Sequence, residues 1–186
     1  MKNKTNKTNK KNNKTGVTTT LDSQKLLSII KQLKKETKII AVTKTLSIKA
    51  VEAAIQNNIY IIGESRIQET EQKYKDYKKR DRIELHLIGH LQSNKTKKAV
   101  KLYDVIQTAD SEKIIKKINQ EAIKINKKQK IYVQINIGKD PNKKGIKENE
   151  IKPLCSLINK LTNIILEGIM VVLPQGISKE KTQKLY

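Results

Sequence analysis

Lys44 is the residue of this sequence best placed to react covalently with a ligand. It closes a short apolar run, AVTK, and therefore directly follows a predicted strand. At the rim of a barrel we expect its stem to be enclosed and its amine to be removed from water. That environment favours the neutral amine, which a Schiff base with an aldehyde requires. Position alone leaves open that Lys44 is solvated, as most lysines are.

Further polar side chains follow other apolar runs of the chain. They are Glu64, Ser65, His90, Asp110 and Asn136. The carboxyl ends of parallel strands meet at one edge of a sheet, so we expect these residues to gather around one site. His90 is well placed there to meet a ligand, but the sequence assigns it no acid–base partner.

Structural roles account more simply for several other polar residues. His86 falls within a predicted strand and is expected to point inward as a hydrogen-bonded core residue. Glu64 and Glu69 are expected to pair with the arginine between them at the start of a helix. Ser93 or Asn94 is expected to cap the next helix, whose amino end would face the site.

Apolar runs and helix-period stretches alternate along most of the chain. An amphipathic helix comes first, with Asp22 or Ser23 as its cap. Six predicted strands follow, at residues 39–44, 59–65, 84–90, 103–110, 131–137 and 165–172. Helical stretches separate these strands, and Ser111 is the predicted N-terminal cap of one of them. This alternation indicates right-handed βαβ units and a parallel sheet.

Two architectures contain six such units, an open doubly wound sheet and most of a barrel. No Gly-x-Gly-x-x-Gly motif follows the first strand, which argues against the dinucleotide-binding form of the open sheet. Polar residues instead end several different strands, as in a barrel whose site draws on many loops. We therefore predict an α/β fold, an incomplete (β/α)8 TIM-type barrel of about six βα units, as a single domain over residues 21–186.

The net charge of +22 is a feature that the chain shares with nucleic-acid-binding proteins. Arginine, which clamps phosphates and reads bases, occurs only at positions 66, 80 and 82. The six tyrosines are scattered and supply no stacking surface for bases. A composition rich in Lys, Ile and Asn is typical of an AT-rich genome, so we predict no nucleic-acid partner.

The remaining composition favours a reducing, cytoplasmic compartment. Cys155 is the only cysteine, and its helical core spacing predicts buried packing. No apolar run reaches the length of a membrane span, so no membrane partner is expected. Residues 1–20 contain six lysines and no acid, which predicts a disordered basic tail and no secretory signal.

Five segments resemble, in order along the chain, the pyridoxal phosphate homeostasis proteins (the YggS/PROSC family). They are AVTK (41–44), GESRIQE (63–69), HLIGHLQSNK (86–95), QINIGKDPNKKG (134–145) and EGIMVV (167–172). The resemblance implies the barrel of the alanine racemase N-terminal domain, with pyridoxal phosphate bound to Lys44 as a Schiff base. It also implies a protein that buffers the cofactor and delivers it to pyridoxal phosphate-dependent apoenzymes, without catalysis of its own.

The chain departs from this family at several positions. Ser65 replaces the usual Asn of the second motif, and Leu46 replaces a second Lys. Lys143 matches the family's lysine before the glycine of the fifth-strand loop, although a solvated loop lysine is an equally good interpretation.

The resemblance implies two further βα units, and the sequence ends at Tyr186 before either of them. Barrels often hold phosphate groups in the loops after strands seven and eight. We therefore expect the chain to contain the lysine that binds the cofactor aldehyde but not the loops that would bind the cofactor phosphate. Two alternatives stay open: an amino-acid racemase-like enzyme, which needs a second acid–base group and a following β-domain, and a non-functional truncated product.

Overall fold

A parallel β-sheet forms the core of the protein, and helices connect its successive strands along the chain. The computed structural model describes residues 22–137 and 144–173, together with residues 176, 178, 180 and 183. The strands are β1 (Ile40–Val42), β2 (Ile61–Glu64), β3 (Glu84–Leu87), β4 (Val105–Ala109), β5 (Gln129–Ile135) and β6 (Ile164–Val171). The helices are α1 (Ser23–Gln32), α2 (Ile48–Gln56), α3 (Ile67–Tyr74), α4 (Thr96–Leu102), α5 (Glu112–Lys124) and α6 (Ile151–Ile158).

The strand order distinguishes the two predicted architectures. All strands are parallel, and each pairs with the next one along the chain, in the order β1-β2-β3-β4-β5-β6. A doubly wound sheet reverses its order at a switch point, whereas a barrel does not. Among the described residues β1 and β6 are not paired with each other, so the strands form an open arc. The prediction of an incomplete barrel with six strands is confirmed.

The helices cover one face of the arc with aliphatic side chains. On α5, for example, Ile115 and Ile118 are fully buried, and so are Ile106 and Ile131 of the adjoining strands. The Ser111 hydroxyl accepts a hydrogen bond from the Ile114 amide at 3.4 Å, which caps α5 as predicted. Burial of such branched aliphatic side chains is the main stabilising contribution to a parallel sheet of this kind.

The opposite face of the arc carries charged and polar side chains. A cleft there is lined by strand residues and Lys38, with no helix across it. Within it Lys130 lies 3.1 Å from a Glu84 carboxylate oxygen and 3.9 Å from Glu167. The His86 Nδ1 atom is 2.8 Å from the Gln107 amide nitrogen, and His86 is buried. His86 is therefore the inward, hydrogen-bonded residue that its position predicts.

Some local predictions are confirmed and others are wrong. Asp22 caps α1, because its carboxylate accepts from the Lys25 amide at 2.9 Å. Neither Ser93 nor Asn94 makes a side-chain cap. Both lie in a 3-10 turn, Ser93–Lys95, that runs directly into α4.

Two further expectations concern packing and membranes. Cys155 is only partly buried on α6, so its packing role is incomplete. In the part of the chain that the structure describes, no helix combines the length and apolar character needed to cross a bilayer.

Candidate functional site

Lys44 lies at the carboxyl edge of the sheet, two residues beyond the end of β1. Its side chain is exposed and makes no hydrogen bond or ion pair with any described residue. The expected enclosure of its stem is wrong for this arc, because β1 is an edge strand with no described strand beyond it. The amine is consequently free to meet a ligand.

The backbone turns sharply directly after Lys44. Thr45 has a φ of 64°, in the left-handed region that residues with a Cβ seldom adopt. Its amide donates a hydrogen bond to the Glu69 Oε1 atom at 2.5 Å. Glu69 thus fixes the turn from the first part of α3. It also lies 3.9 Å from Arg66, so the predicted pairing with that arginine is confirmed for Glu69.

Glu64 has a different partner from the one predicted. Its side chain is buried on the side of the sheet that α3 covers, and its Oε1 atom lies 2.7 Å from the Lys73 amine of α3. The Thr43 hydroxyl donates to the same oxygen at 2.7 Å, and the Lys73 amine also donates to the Thr43 carbonyl oxygen at 2.7 Å. Glu64 therefore ties β1, β2 and α3 together rather than pairing with Arg66.

Two buried tyrosines complete this side of the sheet. The Tyr74 hydroxyl lies 3.4 Å from Glu64, and the Tyr103 hydroxyl donates to Thr70 at 2.8 Å. Burial raises the pKa of both phenols above their ordinary value, and the Glu64 charge raises that of Tyr74 further. Both tyrosines consequently stay protonated and act as hydrogen-bond donors.

The loops after β2 and β3 approach each other closely. A Cβ added to Gly89 would lie 2.1 Å from the Ser65 carbonyl oxygen, so only glycine fits there. The Thr108 hydroxyl donates to the Gly89 carbonyl oxygen at 2.8 Å. The Thr108–Gly89 hydrogen bond joins the ends of β3 and β4, and Ser65, at the end of β2, lies directly beside Gly89.

His90 and Asp110 form a pair that sequence reasoning missed. The His90 Nδ1 atom lies 3.2 Å from the Asp110 carboxylate, with 46% of the His90 side chain exposed but only 8% of Asp110. Both residues follow neighbouring strands, which is the signal that would have joined them. A histidine oriented by a buried carboxylate can accept a proton or donate one to a ligand.

The mouth of the arc brings two of the predicted residues, His90 and Asn136, into one cavity. Its lining residues are Ile88, His90, Thr108, Gln134, Ile135, Asn136, Lys144, Met170 and Val172. Lys44 is not among them, and Glu64 is buried elsewhere, so the structure gathers only part of the predicted set. Lys143 lies outside the described residues. Within the described ranges no three His, Cys, Asp or Glu side chains converge as metal ligands.

The six parallel strands follow one another in chain order as in a (β/α) barrel, with Lys44 after the first strand. The sequence profile of the alanine racemase N-terminal domain family matches residues 22–185. Within this class, the chain belongs to the pyridoxal phosphate homeostasis proteins. It is 36% identical to the protein of that name from Synechocystis over 150 residues, which are 81% of this chain and 69% of the relative.

Other relatives support the same assignment. The pyridoxal phosphate homeostasis protein of Pasteurella multocida is 32% identical over 153 residues, 80% of this chain and 66% of the relative. The chain thus spans about two thirds of the length of these relatives.

Solved structures agree with the fold. PipY of Synechococcus elongatus, solved with pyridoxal phosphate bound, is 28% identical with a TM-score of 0.80, over 88% of this chain and 76% of PipY. Alanine racemase of Clostridium difficile, at 20% identity and a TM-score of 0.71 over 86% of this chain and 44% of the racemase, shares the fold.

Proposed function

We propose that this chain binds pyridoxal 5'-phosphate covalently, as a Schiff base on the Lys44 amine, and serves in pyridoxal phosphate homeostasis without catalysis of its own. The observation that carries this proposal is the free Lys44 amine at the carboxyl edge of β1, in the fold in which PipY binds pyridoxal phosphate. The names of the relatives supply the homeostatic role. Apoenzymes that need the cofactor are the corresponding partners.

The residues at the carboxyl edge fit such a ligand. When bound, the cofactor supplies an aldehyde carbon, to which the Lys44 nitrogen forms a double bond with loss of one water molecule. The amine has no competing partner among the described residues. His90, Thr108 and Gln134 add polar atoms to the cavity at the same carboxyl edge of the sheet, where hydroxyl and ring-nitrogen groups of a ligand would find partners.

The proposal is tested by trapping the bound cofactor. Pyridoxal phosphate is added to the protein, the adduct is reduced with borohydride, and the modified lysine is located by peptide mass spectrometry. We expect the label on Lys44, and we expect Lys44→Ala to abolish both the label and the absorbance of the bound cofactor. Lys49→Ala, which removes an exposed lysine of α2, is the matched control and should keep the label. A label on another lysine would overturn the site assignment.

A further inference from the structure

The backbone on each side of Lys44 is held by side chains of one helix, α3. The Lys73 amine donates to the Thr43 carbonyl oxygen at 2.7 Å, and the Thr45 amide donates to Glu69 at 2.5 Å. Both contacts join residues that are far apart along the chain. They act on the two residues that flank Lys44 and leave the lysine side chain itself untouched.

We propose that Glu69 and Lys73 are positioning residues that direct the Lys44 side chain toward the ligand. This inference rests on the proposed function, since it concerns how the cofactor-binding lysine is oriented. The direction of a side chain is set at its Cα by the backbone on either side. The Lys44 side chain makes no polar contact with a described residue that would fix it further. The backbone conformation at Lys44 therefore sets the direction in which the side chain leaves the Cα atom.

Glu69 carries the larger share of this positioning. Thr45 has a Cβ and a φ of 64°, a conformation that a residue with a side chain adopts at a cost unless its surroundings stabilise it. The Glu69 carboxylate supplies that stabilisation through a charge-assisted hydrogen bond to the Thr45 amide. Without it the Thr45 amide has no other acceptor among the described residues, and within its own backbone the turn keeps only the hydrogen bond from the Leu46 amide to the Thr43 carbonyl oxygen, at 3.1 Å.

Lys73 supports the same turn from the other side, but its removal also affects folding. Its side chain is 6% exposed and neutralises the buried Glu64. Loss of Lys73 would leave a buried carboxylate without its counter-charge, which is strongly destabilising. Glu69, with 29% of its side chain exposed, is therefore the residue whose substitution isolates positioning from stability.

The test compares Glu69→Ala with Glu69→Gln, which keeps an oxygen acceptor for the Thr45 amide. The matched control is Glu71→Ala, which removes a glutamate of the same helix that pairs with Lys98 at 2.8 Å. For each protein we would measure the rate of pyridoxal phosphate attachment and the fraction of borohydride-trapped label on Lys44. The melting temperature and the hydrogen exchange of the Thr45 amide would be recorded alongside.

We expect Glu69→Ala to slow attachment about tenfold, because a misplaced reacting group loses much of its advantage. Label should spread to other lysines, the Thr45 amide should exchange faster, and the melting temperature should change little. Glu69→Gln should recover most of the rate, and Glu71→Ala should behave as the unmodified chain. Unchanged rate and label in Glu69→Ala, with Lys44 labelled in the unmodified chain, would overturn the inference. Absence of label on Lys44 in the unmodified chain would instead overturn the proposed function and, with it, the positioning role.

Discussion

Two glutamates of the segment GESRIQE show how strongly position decides the role of a residue. Glu64 ends β2 and points into the helix layer, where burial requires the Lys73 counter-charge. Glu69 lies within α3 near the surface, where its carboxylate accepts from a backbone amide. Sequence spacing treats both as neighbours of Arg66, because it does not reveal which side of the sheet a strand's last residue faces.

The inward-facing His86 predicts a specific dependence of stability on pH. Burial lowers the pKa of His86 below its ordinary value, although the neighbouring Glu84 carboxylate partly opposes this. As the pH falls below about 6.5, the unfolded chain binds a proton at this residue that the folded chain does not. Stability is therefore lost as the pH falls through this window, and at higher pH the residue contributes no further change.

Urea unfolding between pH 7 and pH 5.5 measures this effect. We expect the free energy of unfolding to decrease by up to about 1 kcal/mol per pH unit below pH 6.5 because of this one residue. His86→Gln should flatten the decrease, whatever its effect on stability at pH 7. An equal slope in the unmodified chain and in His86→Gln would contradict the prediction.

At the scale of the element, the end of α4 depends on a residue from the loop before β5. The Lys127 amine donates to the carbonyl oxygens of Val100 at 2.7 Å and Tyr103 at 2.6 Å. The last carbonyls of a helix have no partner within the helix, and a cation there also interacts favourably with the helix dipole. This amine is partly buried, and burial lowers the pKa of Lys127, although the Asp104 carboxylate opposes the change.

Replacing Lys127 with Met therefore tests how far a side chain from another element stabilises α4. We expect Lys127→Met to lower the free energy of unfolding by about 1.5 kcal/mol, since a buried carbonyl oxygen loses its donor. Lys116→Met is the comparison, because it removes an exposed lysine that pairs only with Glu112 one turn away on α5. That change should cost less than about 0.5 kcal/mol. Equal losses in chemical denaturation would show that Lys127 does not anchor the helix.

The elements themselves follow well from the sequence, whereas their long-range contacts do not. All six strands and the Asp22 and Ser111 caps were predictable, because apolar runs and cap residues are local signals. The Lys73 contact with Thr43 and the His90–Asp110 pair join different βα units. Such contacts depend on strand twist and register, and a list of residue types does not specify either one.

At the scale of the whole molecule, the arc of six strands leaves two sheet edges without a described partner. The outer strands expose aliphatic side chains, with Val42 at 48% and Ile169 at 58%. Ile40 and Met170 are partly exposed as well, as expected for an incomplete barrel. Unpaired strand edges favour association with a second chain, and uncovered apolar side chains lower stability.

The open arc leads to a prediction about both assembly and affinity. We expect the 186-residue chain to self-associate and to bind pyridoxal phosphate weakly and reversibly. A Schiff base alone is readily hydrolysed, and the six described strands do not include the seventh and eighth, whose loops often hold phosphate in barrels. Sedimentation velocity and cofactor titration measure the two properties, and appending the last two βα units of a full-length relative should restore both a single species and tight binding.

A double substitution on β6 separates assembly from affinity. Ile165→Lys with Ile169→Lys places charge on a strand where both side chains are exposed, at 41% and 58%. Charged residues on an edge strand discourage pairing with another chain but supply no phosphate loop. This variant should therefore sediment as a single species and still bind the cofactor weakly. Tight binding by a monodisperse 186-residue chain would contradict the prediction, and it would place the phosphate site within the first six βα units.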